Sequence, residues 1–266
     1  MRGISAKSLA EVLTAVDAAQ GPASDLGAEL FGVVAMLDGN PALRRVLTDP
    51  STEGEAKSGL VRSLLSGKVG DDALTVVAIA VGGRWAAARD LSDGLETAGV
   101  SALVKAAEAA GELDSVESEV FGIGRAVASD AELRGTINDR TYTPASKGEL
   151  LNTMFGSKVG STALALATQA VAARTGSFEK VLAAFGATAA ARRQLVLAEV
   201  RAAYELGDDE KQRLTAALAA KYGHDVHVNL IVDPSVVGGI SVSVGDEVVD
   251  GTMSSRLEAA RRRLAG

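Results

Sequence analysis

Apolar residues recur at helical spacing through most of the chain. Positions i, i+3, i+4 and i+7 share one face of an α-helix, so this spacing predicts helices with one buried side. The first two stripes comprise Leu9, Val12, Leu13 and Val16, then Leu26, Leu30, Val33 and Leu37. Further helices are predicted over 55–65, 71–81 and 85–95. Two helix starts are marked by a capping side chain before a first-turn proline, at Asn40-Pro41 and Thr143-Pro144. Such short helices bury little alone, which indicates a bundle.

The helical pattern changes after about residue 187. A long helix is predicted over 189–206 and another over 210–221, with Asp208-Asp209 at the positive end of the second. A last helix is predicted to begin near the capping box formed by Ser255 and Glu258.

Between these last two helices the apolar period switches from 3.6 to 2. Alternating apolar and polar residues predict strands near 226–232, 240–244 and 247–249. Gly245-Asp246 suits a two-residue hairpin turn between the second and third of these strands. The C-terminal part of the chain is therefore predicted to hold a small β region.

The sequence is similar to itself at an offset of 90 residues. Aligned without a gap, residues 13–84 and 103–174 are identical at 19 of 72 positions, well above the roughly one in ten expected by chance for this alanine-rich composition. We therefore expect a mainly α chain with two tandem six-helix bundles, 1–97 and 98–187, and a small α+β domain with a β-hairpin over 188–266. The retained charged pairs include Glu29/Glu119, Asp49/Asp139, Lys57/Lys147 and Arg84/Arg174.

Charge and composition narrow the function. The chain has 27 Lys and Arg against 34 Asp and Glu, a formal net charge of −7. No nucleic-acid partner is expected, because neutralising phosphates needs a basic face. The absence of cysteine excludes disulfides, thiolate zinc sites and cysteine nucleophiles. No segment approaches the roughly 20 apolar residues of a membrane-spanning helix and no secretory signal follows Met1, so we expect a soluble cytoplasmic protein.

The residue types that carry catalysis do not form a known motif. Gly67-Lys68 lacks the preceding glycine of a phosphate-binding loop and indicates a turn between helices. His224 and His227 would fall on different faces of an extended segment, which disfavours a shared metal ion. Large aromatic side chains are expected in the core, at Trp85, Phe31, Phe121, Phe155, Phe178 and Phe185. The sequence therefore predicts a non-catalytic protein without a cofactor or a metal site.

The tail carries a set of residues in a recognisable order. They are Asp233, Gly238, Gly239, Gly245, Asp246, Asp250, Gly251 and Arg256. This pattern resembles the C-terminal signature of the δ subunit of F-type ATP synthases, the family that includes the mitochondrial oligomycin-sensitivity-conferring protein. The resemblance covers about 98–264, and the extra copy over 1–95 resembles the duplicated arrangement of actinobacterial δ subunits. Paired glycines permit a chain reversal, so the signature either builds the fold of the tail or contacts a partner directly.

The resemblance implies a peripheral-stalk (stator) subunit of a proton-translocating ATP synthase, which acts mechanically and needs no cofactor. Its first and fifth bundle helices would bind the N-terminal segment of an α subunit, and its tail would bind the stalk b subunits. Those helices fall near 8–19 and 71–83 in the first copy and near 99–110 and 161–173 in the second, and either copy could bind α. The subunit would be peripheral, at the cytoplasmic face of the bacterial membrane. A free-standing helical-repeat adaptor is the alternative, and it would leave the tail signature unexplained.

Overall fold

The chain is mainly α, with a small mixed sheet near its C-terminal end. The computed structural model describes residues 3–172, 174, 176–204, 206–222, 226–233, 236, 238–244 and 247–250. Within these residues it has twelve helices and four strands. The chain divides into two compact units, residues 1–189 and residues 190–266.

The first repeat forms helices in the order that its apolar stripes predict. They are α1 (Ile4–Ala18), α2 (Ala23–Gly39), α3 (Pro41–Thr48), α4 (Gly54–Leu65), α5 (Asp71–Gly82) and α6 (Ala88–Ala109). Six of the eight predicted stripe residues are buried, namely Val12, Val16, Leu26, Leu30, Val33 and Leu37. Leu9 and Leu13 are half-buried at the edge of the same core.

The second repeat adds five helices in the same register. They are α7 (Leu113–Ser129), α8 (Ala131–Asn138), α9 (Pro144–Phe155), α10 (Ser161–Ala170) and α11 (Phe178–Val196). Helices α7, α8 and α9 begin and end 90 residues after α2, α3 and α4, and α10 and α11 begin 90 residues after α5 and α6. The offset found in the sequence is therefore also the offset between equivalent helices.

One continuous helix serves both repeats. The sequence predicts one helix over 85–95 and another near 99–110, but α6 runs without a break from Ala88 to Ala109. No proline or turn residue stands between the two predicted segments, and the isolated Gly99 is tolerated inside the helix. The last helix of the first repeat is therefore fused to the first helix of the second.

Helix α2 crosses the second half of α6 at a pair of glycines. A Cβ added to Gly27 would lie 2.8 Å from Leu103 Cγ, and a Cβ added to Gly99 would lie 2.5 Å from Phe31 Cε1. Because glycine has no side chain, the two helix backbones can approach this closely. This crossing packs α2 onto the helix that opens the second repeat.

Two glutamates are the same in both repeats because they make the same hydrogen bond. Glu29 Oε1 accepts a hydrogen bond from the Gly70 N–H at 3.0 Å, and Glu119 Oε2 accepts one from the Gly160 N–H at 2.9 Å. Gly70 and Gly160 are the N-cap residues of α5 and α10. Each carboxylate thus satisfies a backbone donor at the positive end of the equivalent helix.

Two retained aspartates build the same turn ahead of α4 and α9. Asp49 accepts hydrogen bonds from the Ser51 hydroxyl and N–H, at 2.6 and 2.8 Å, and Asp139 accepts one from the Thr141 N–H at 2.9 Å. These bonds hold the pKa of both carboxyls below the usual range. Both repeats therefore keep an aspartate here for a local structural reason.

The predicted aromatic core is confirmed at three positions, Trp85, Phe178 and Phe185. Phe31 and Phe155 are half-buried. The prediction is wrong for Phe121, which is 66% exposed with the Arg125 guanidinium 5.8 Å from the centre of its ring. The buried face of α7 carries Val116, Val120, Ile123 and Val127. Phe121 lies one residue beyond that stripe, on the outer side of the helix.

Arg174 joins the two repeats through three carboxylates. Its guanidinium pairs with Asp38 Oδ2 at 2.7 Å, Asp93 Oδ1 at 2.9 Å and Glu96 Oε2 at 2.7 Å. Arg174 follows α10, whereas Asp38 is on α2 and the other two acids are on α6. Burial raises the pKa of Glu96, and the positive charge of Arg174 opposes that increase. We call these four residues the Arg174 network.

The second unit contains a helix and a four-stranded sheet. Its elements are β1 (Leu197–Ala202), α12 (Asp208–Tyr222), β2 (His227–Val232), β3 (Ile240–Val244) and β4 (Glu247–Asp250). The strand order is β2-β1-β3-β4, with β1 parallel to β2 and antiparallel to β3, and with β3 antiparallel to β4. The core of this unit includes Val200, Ala202, Leu206, Leu218, Val226, Val242 and Val244.

The predicted long helix over 189–206 is wrong in its second half. Helix α11 ends at Val196 and the chain continues as β1, the strand between β2 and β3. The segment Leu197–Ala202 is rich in residues that favour helices. It is paired on both sides along most of its length, and these pairings to distant segments override the local preference.

The three strands predicted from the alternating pattern correspond to β2, β3 and β4. The pairing of Val244 with Glu247 leaves two residues between β3 and β4, at the position of the predicted turn. The turn residues Gly245 and Asp246 and the predicted last helix lie outside the described residues.

The Arg174 network predicts a stability effect that depends on pH. Replacing Arg174 by methionine leaves the partly buried Glu96 carboxylate without its cation. We expect a loss of about 2–3 kcal/mol in the free energy of unfolding at pH 7, measured by urea denaturation. We place the loss below that of a fully buried pair because Asp38 and Asp93 are partly exposed.

The same variant should recover stability in acid. Burial already raises the pKa of Glu96, and removing Arg174 raises it further. The folded variant then gains a stabilising proton as the pH falls through that raised pKa, so its deficit relative to the parent chain shrinks. Arg140→Met, at an exposed arginine, is the control and should change stability by less than about 0.5 kcal/mol. Equal losses in the two variants would contradict a structural role for the network.

Candidate partner-binding surfaces

The first and fifth helices of the first repeat pack against each other and leave outward faces exposed. Lys105, on α6, ends α1 by donating hydrogen bonds to the carbonyls of Val16, Asp17 and Ala19 at 3.1, 2.8 and 2.9 Å. A cation at this position also favours the negative end of the helix. The C-terminal end of helix α1 is thus fixed to α6, while much of the outer side of α1 faces solvent.

Helix α5 presents Thr75, Ile79 and Gly82 on its exposed face, and Ile79 is 38% exposed. Ile79 also borders a groove of about 570 Å³ between α4 and α5. The groove is lined by Gly54, Glu55, Ser58, Gly59, Arg62, Ala78, Ile79 and Gly82. Small residues along both helices make this surface a shallow, mainly apolar depression that can receive one side of a partner helix.

Close packing at the ends of α4 and α5 keeps this groove shallow. A Cβ added to Gly54 would lie 2.9 Å from the Gly82 carbonyl oxygen. One turn along, the Ser58 hydroxyl donates to the Ala78 carbonyl oxygen at 2.8 Å. The helix pair is therefore a rigid support for the exposed side chains of α5.

The equivalent helices of the second repeat are covered by the first repeat. The second half of α6 and α10 correspond to α1 and α5. Helix α2 packs on the second half of α6 through Gly27 and Gly99, and it also contacts α10. Gln169, the equivalent of Ile79, donates to Glu96 Oε1 at 2.6 Å. A helix of this chain thus occupies the position that the sequence analysis assigned to a partner in the second repeat.

One difference between the sequences of the two repeats bears on which of them offers a free surface. The close crossing of α2 and α6 depends on Gly27 and Gly99, whose equivalents in the second repeat are Glu117 and Ala189. These larger residues cannot reproduce a glycine contact. The difference between the repeats was therefore present in the sequence, but only the structure shows that the two glycines face each other.

The described residues of the tail signature lie around β2, β3 and β4. The Asp233 N–H donates to the Ala202 carbonyl oxygen at 2.9 Å, directly after β2. Gly238 and Gly239 have φ angles of 68° and 78°, in the left-handed region that glycine adopts without strain. Asp250 ends β4, paired with Ser241. The remaining signature residues, Gly245, Asp246, Gly251 and Arg256, lie outside the described residues.

Both edge strands of the small sheet expose apolar side chains. Strand β4 presents Val248, which is 64% exposed, and Val249, while β2 presents Ile231 and Val232. Exposed apolar strands at a sheet edge are typical of surfaces that bind other chains. The tail therefore offers an apolar surface close in sequence to the signature residues.

The structure adds no site for chemistry within the residues that it describes. In that part of the chain, no His, Cys, Asp and Glu side chains form a group of three able to hold a metal ion. His227 lies in β2, and His224 lies outside the described residues. The described helices include none with the length and apolar character needed to cross a membrane.

Comparison with known proteins identifies similar chains along the whole sequence. The family model described as "ATP synthase delta (OSCP) subunit" matches residues 100–264. The ATP synthase subunit delta of Streptomyces griseus is 46% identical over 95% of this chain and 92% of its own length. Those of Streptomyces coelicolor and Acidothermus cellulolyticus are 44% and 42% identical, over 100% of this chain and 98% and 100% of their own lengths. The family model thus begins within α6, whereas these relatives also match the first repeat.

Proposed function

The chain belongs to the ATP synthase delta (OSCP) subunit family, and we propose that its first repeat holds the catalytic head of the enzyme while its tail holds the peripheral stalk. The protein is a non-catalytic, structural component of the peripheral stalk of F-type ATP synthase. This membership decides against an unrelated helical-repeat adaptor. It also implies association with the membrane through the complex, and we place the subunit at the cytoplasmic face.

We divide the chain into two duplicated helical bundles and a C-terminal domain. We assign residues 1–97 and 98–187 to two tandem six-helix bundles that share α6, and residues 188–266 to the stalk-binding domain. The matching bounds of α2 to α4 and α7 to α9 support this duplication. The start of the family match at residue 100 supports the second repeat as the counterpart of the single bundle of ordinary family members.

The first repeat is the one that binds the N-terminal segment of an α subunit. The observation that carries this assignment is the position of α2, which lies on α6 and contacts α10 and so covers the second repeat's equivalent surface. Among the residues of the first unit that the structure describes, none covers the outer faces of α1 and α5 in this way. An amphipathic partner helix would place its apolar side over Ile79 and along α5, a common mode of helix recognition.

The tail binds the stalk b subunits. Its exposed valines on β4 supply apolar area, and the turn at Gly238 and Gly239 places β3 against β1 so that β4 can extend the sheet. The signature residues then act mainly by building this surface. Direct contacts from Asp250 or the residues after it would add to the binding.

The mechanism is mechanical. Rotation of the central shaft exerts a torque on the catalytic ring, and the ring stays in place only if a static connection resists that torque. Holding the ring at one end of the chain and the stalk at the other makes each contact raise the effective concentration of the other. Slow dissociation under load is the property that this function requires.

The surface assignment predicts a binding defect for Ile79→Asp. A carboxylate in the apolar contact would be desolvated without a partner, so we expect affinity for a synthetic peptide of the α-subunit N-terminal segment to fall about tenfold or more. Fluorescence anisotropy with the full chain measures this change.

Val46→Asp is the matched control, since Val46 is an equally aliphatic, exposed residue of the first repeat on α3. It should leave peptide affinity within about twofold. A reading in which the second repeat binds α predicts that Ile79→Asp and Val46→Asp behave alike, and that result would contradict the assignment.

The stalk assignment predicts a defect for Gly239→Val. Valine at a φ of 78° is strained by its branched side chain, so we expect the turn before β3 to rearrange and retention of the b subunit in a pull-down to be lost. Gly239→Asn is the control, because asparagine tolerates this backbone region and should retain most b binding. Thermal denaturation of Gly239→Val reports whether the substitution destabilises the protein. If it does and b binding is unchanged, the assignment of the tail to the stalk contact is contradicted.

A further inference from the structure

A small polar cavity lies at the start of α4 in the first repeat. Its volume is about 160 Å³. The lining residues are Pro50, Ser51, Thr52, Glu53, Gly54, Lys57, Gly82 and Arg84. The cavity adjoins the groove between α4 and α5, with which it shares Gly54 and Gly82, and the proposed stator function assigns it no role.

The side chain of Lys57 lines this cavity. Lys57 is 4% exposed, and its ammonium group has no hydrogen bond or ion pair among the residues that the structure describes. Asp49, which attracts it, has its carboxylate hydrogen-bonded to Ser51. Burial and the positive charge of Arg84 hold the pKa of Lys57 below its usual range. A cation on a side chain this buried is stabilised when a further acceptor or an opposite charge accompanies it.

The first turn of α4 adds backbone N–H groups, which carry partial positive charge like that of Lys57. The N-cap residue is Glu53, whose side chain makes no capping hydrogen bond. The N–H groups of the first turn, beginning at Gly54, therefore lack the side-chain acceptor that commonly satisfies them. The positive end of a helix that presents free N–H groups favours an anion.

The second repeat shows the same position with the start of its helix capped and its arginine paired. There Thr143 caps the helix by accepting from the Ser146 N–H at 3.1 Å, and Pro144 removes one of the free donors. The equivalent of Arg84 is Arg174, which is committed to the Arg174 network. Lys147 is retained at the position of Lys57. Two equivalent sites thus differ in the features that govern anion binding.

We propose that the cavity at the start of α4 binds a phosphate group, held by Lys57, Arg84 and the first-turn N–H groups. Lys57, Arg84 and the helix N-terminus together outweigh Glu53, the acidic residue of the lining. They favour a phosphate group, which carries a charge of about −1.5 to −2 as a monoester near pH 7. The planar guanidinium of Arg84 can donate to two phosphate oxygens at once. The group is free inorganic phosphate or a phosphoryl group of a nucleotide. This inference does not depend on the function in the stalk.

Titration of the full chain with inorganic phosphate tests the proposal. Ionic strength is held constant with chloride, and binding is followed by calorimetry and by the amide chemical shifts of Gly54 and Glu55. A parallel titration uses ADP. Saturable shifts with phosphate identify the free anion, and shifts with ADP alone identify a nucleotide phosphoryl group. The absence of saturable shifts with both would overturn the proposal.

Substitutions locate the site. Lys57→Met and Arg84→Met should each weaken binding about tenfold or more, because each removes a charged donor. Arg84 is exposed, so Arg84→Met tests the site even if Lys57→Met perturbs folding. Lys147→Met is the matched control in the second repeat and should leave the affinity unchanged.

A fourth variant copies the second repeat into the first. Glu53→Thr should cap α4 as Thr143 caps α9, and it should weaken phosphate binding while leaving the melting temperature equal or higher. Gly54 is kept, because a Cβ there would lie 2.9 Å from the Gly82 carbonyl oxygen. Equal weakening by Lys57→Met and Lys147→Met, or undiminished binding in Arg84→Met, would overturn the assignment of the site.

Discussion

The close contact between α2 and α6 is the constraint on which the first unit depends. Helix α6 closes the first bundle and opens the second, so both repeats must pack on one continuous rod. Glycines at 27 and 99 allow this by bringing the two helix axes together without side chains between them. Arg174 and Lys105 then add polar bonds between the repeats, at the ends of α10 and α1. The duplicated bundles consequently form one compact unit and not two separate domains joined by a linker.

Much of this architecture could be predicted from the sequence, because it is periodic. The repeat offset, the helix bounds in each copy and the alternating strands follow from patterns that extend over many residues. What could not be predicted depends on contacts between distant segments. The strand at 197–202 looks helical by composition, and its two neighbours in the sheet decide its conformation. Phe121 has the same register as Phe31, yet Phe31 is half-buried against Gly99 of α6, whereas Phe121 is exposed.

The candidate surfaces were predictable to different degrees. The tail signature pointed to the family through residue types in order, although half of its members lie outside the described part of the chain. The helices that could face a partner were predicted in both copies. The glycines at 27 and 99 distinguish the copies, but their meaning depends on a contact that the sequence does not show. The choice needed the observation that α2 already covers α6 and α10. Duplication therefore produced two equivalent surfaces and then used one of them to hold the copies together.

The place of β1 in the sheet has a consequence during synthesis. Strand β1 leaves the ribosome before β2, β3 and β4, yet it needs β2 on one side and β3 on the other. Because β2 ends at Val232 and β3 at Val244, the backbone donors and acceptors of β1 cannot all be paired until the chain has been translated to Val244. Residues 197–202 favour a helix, and a transient helix would pair the backbone donors and acceptors of the nascent segment with one another. A helix-favouring sequence in a central strand is thus suited to a chain that must wait for its partners.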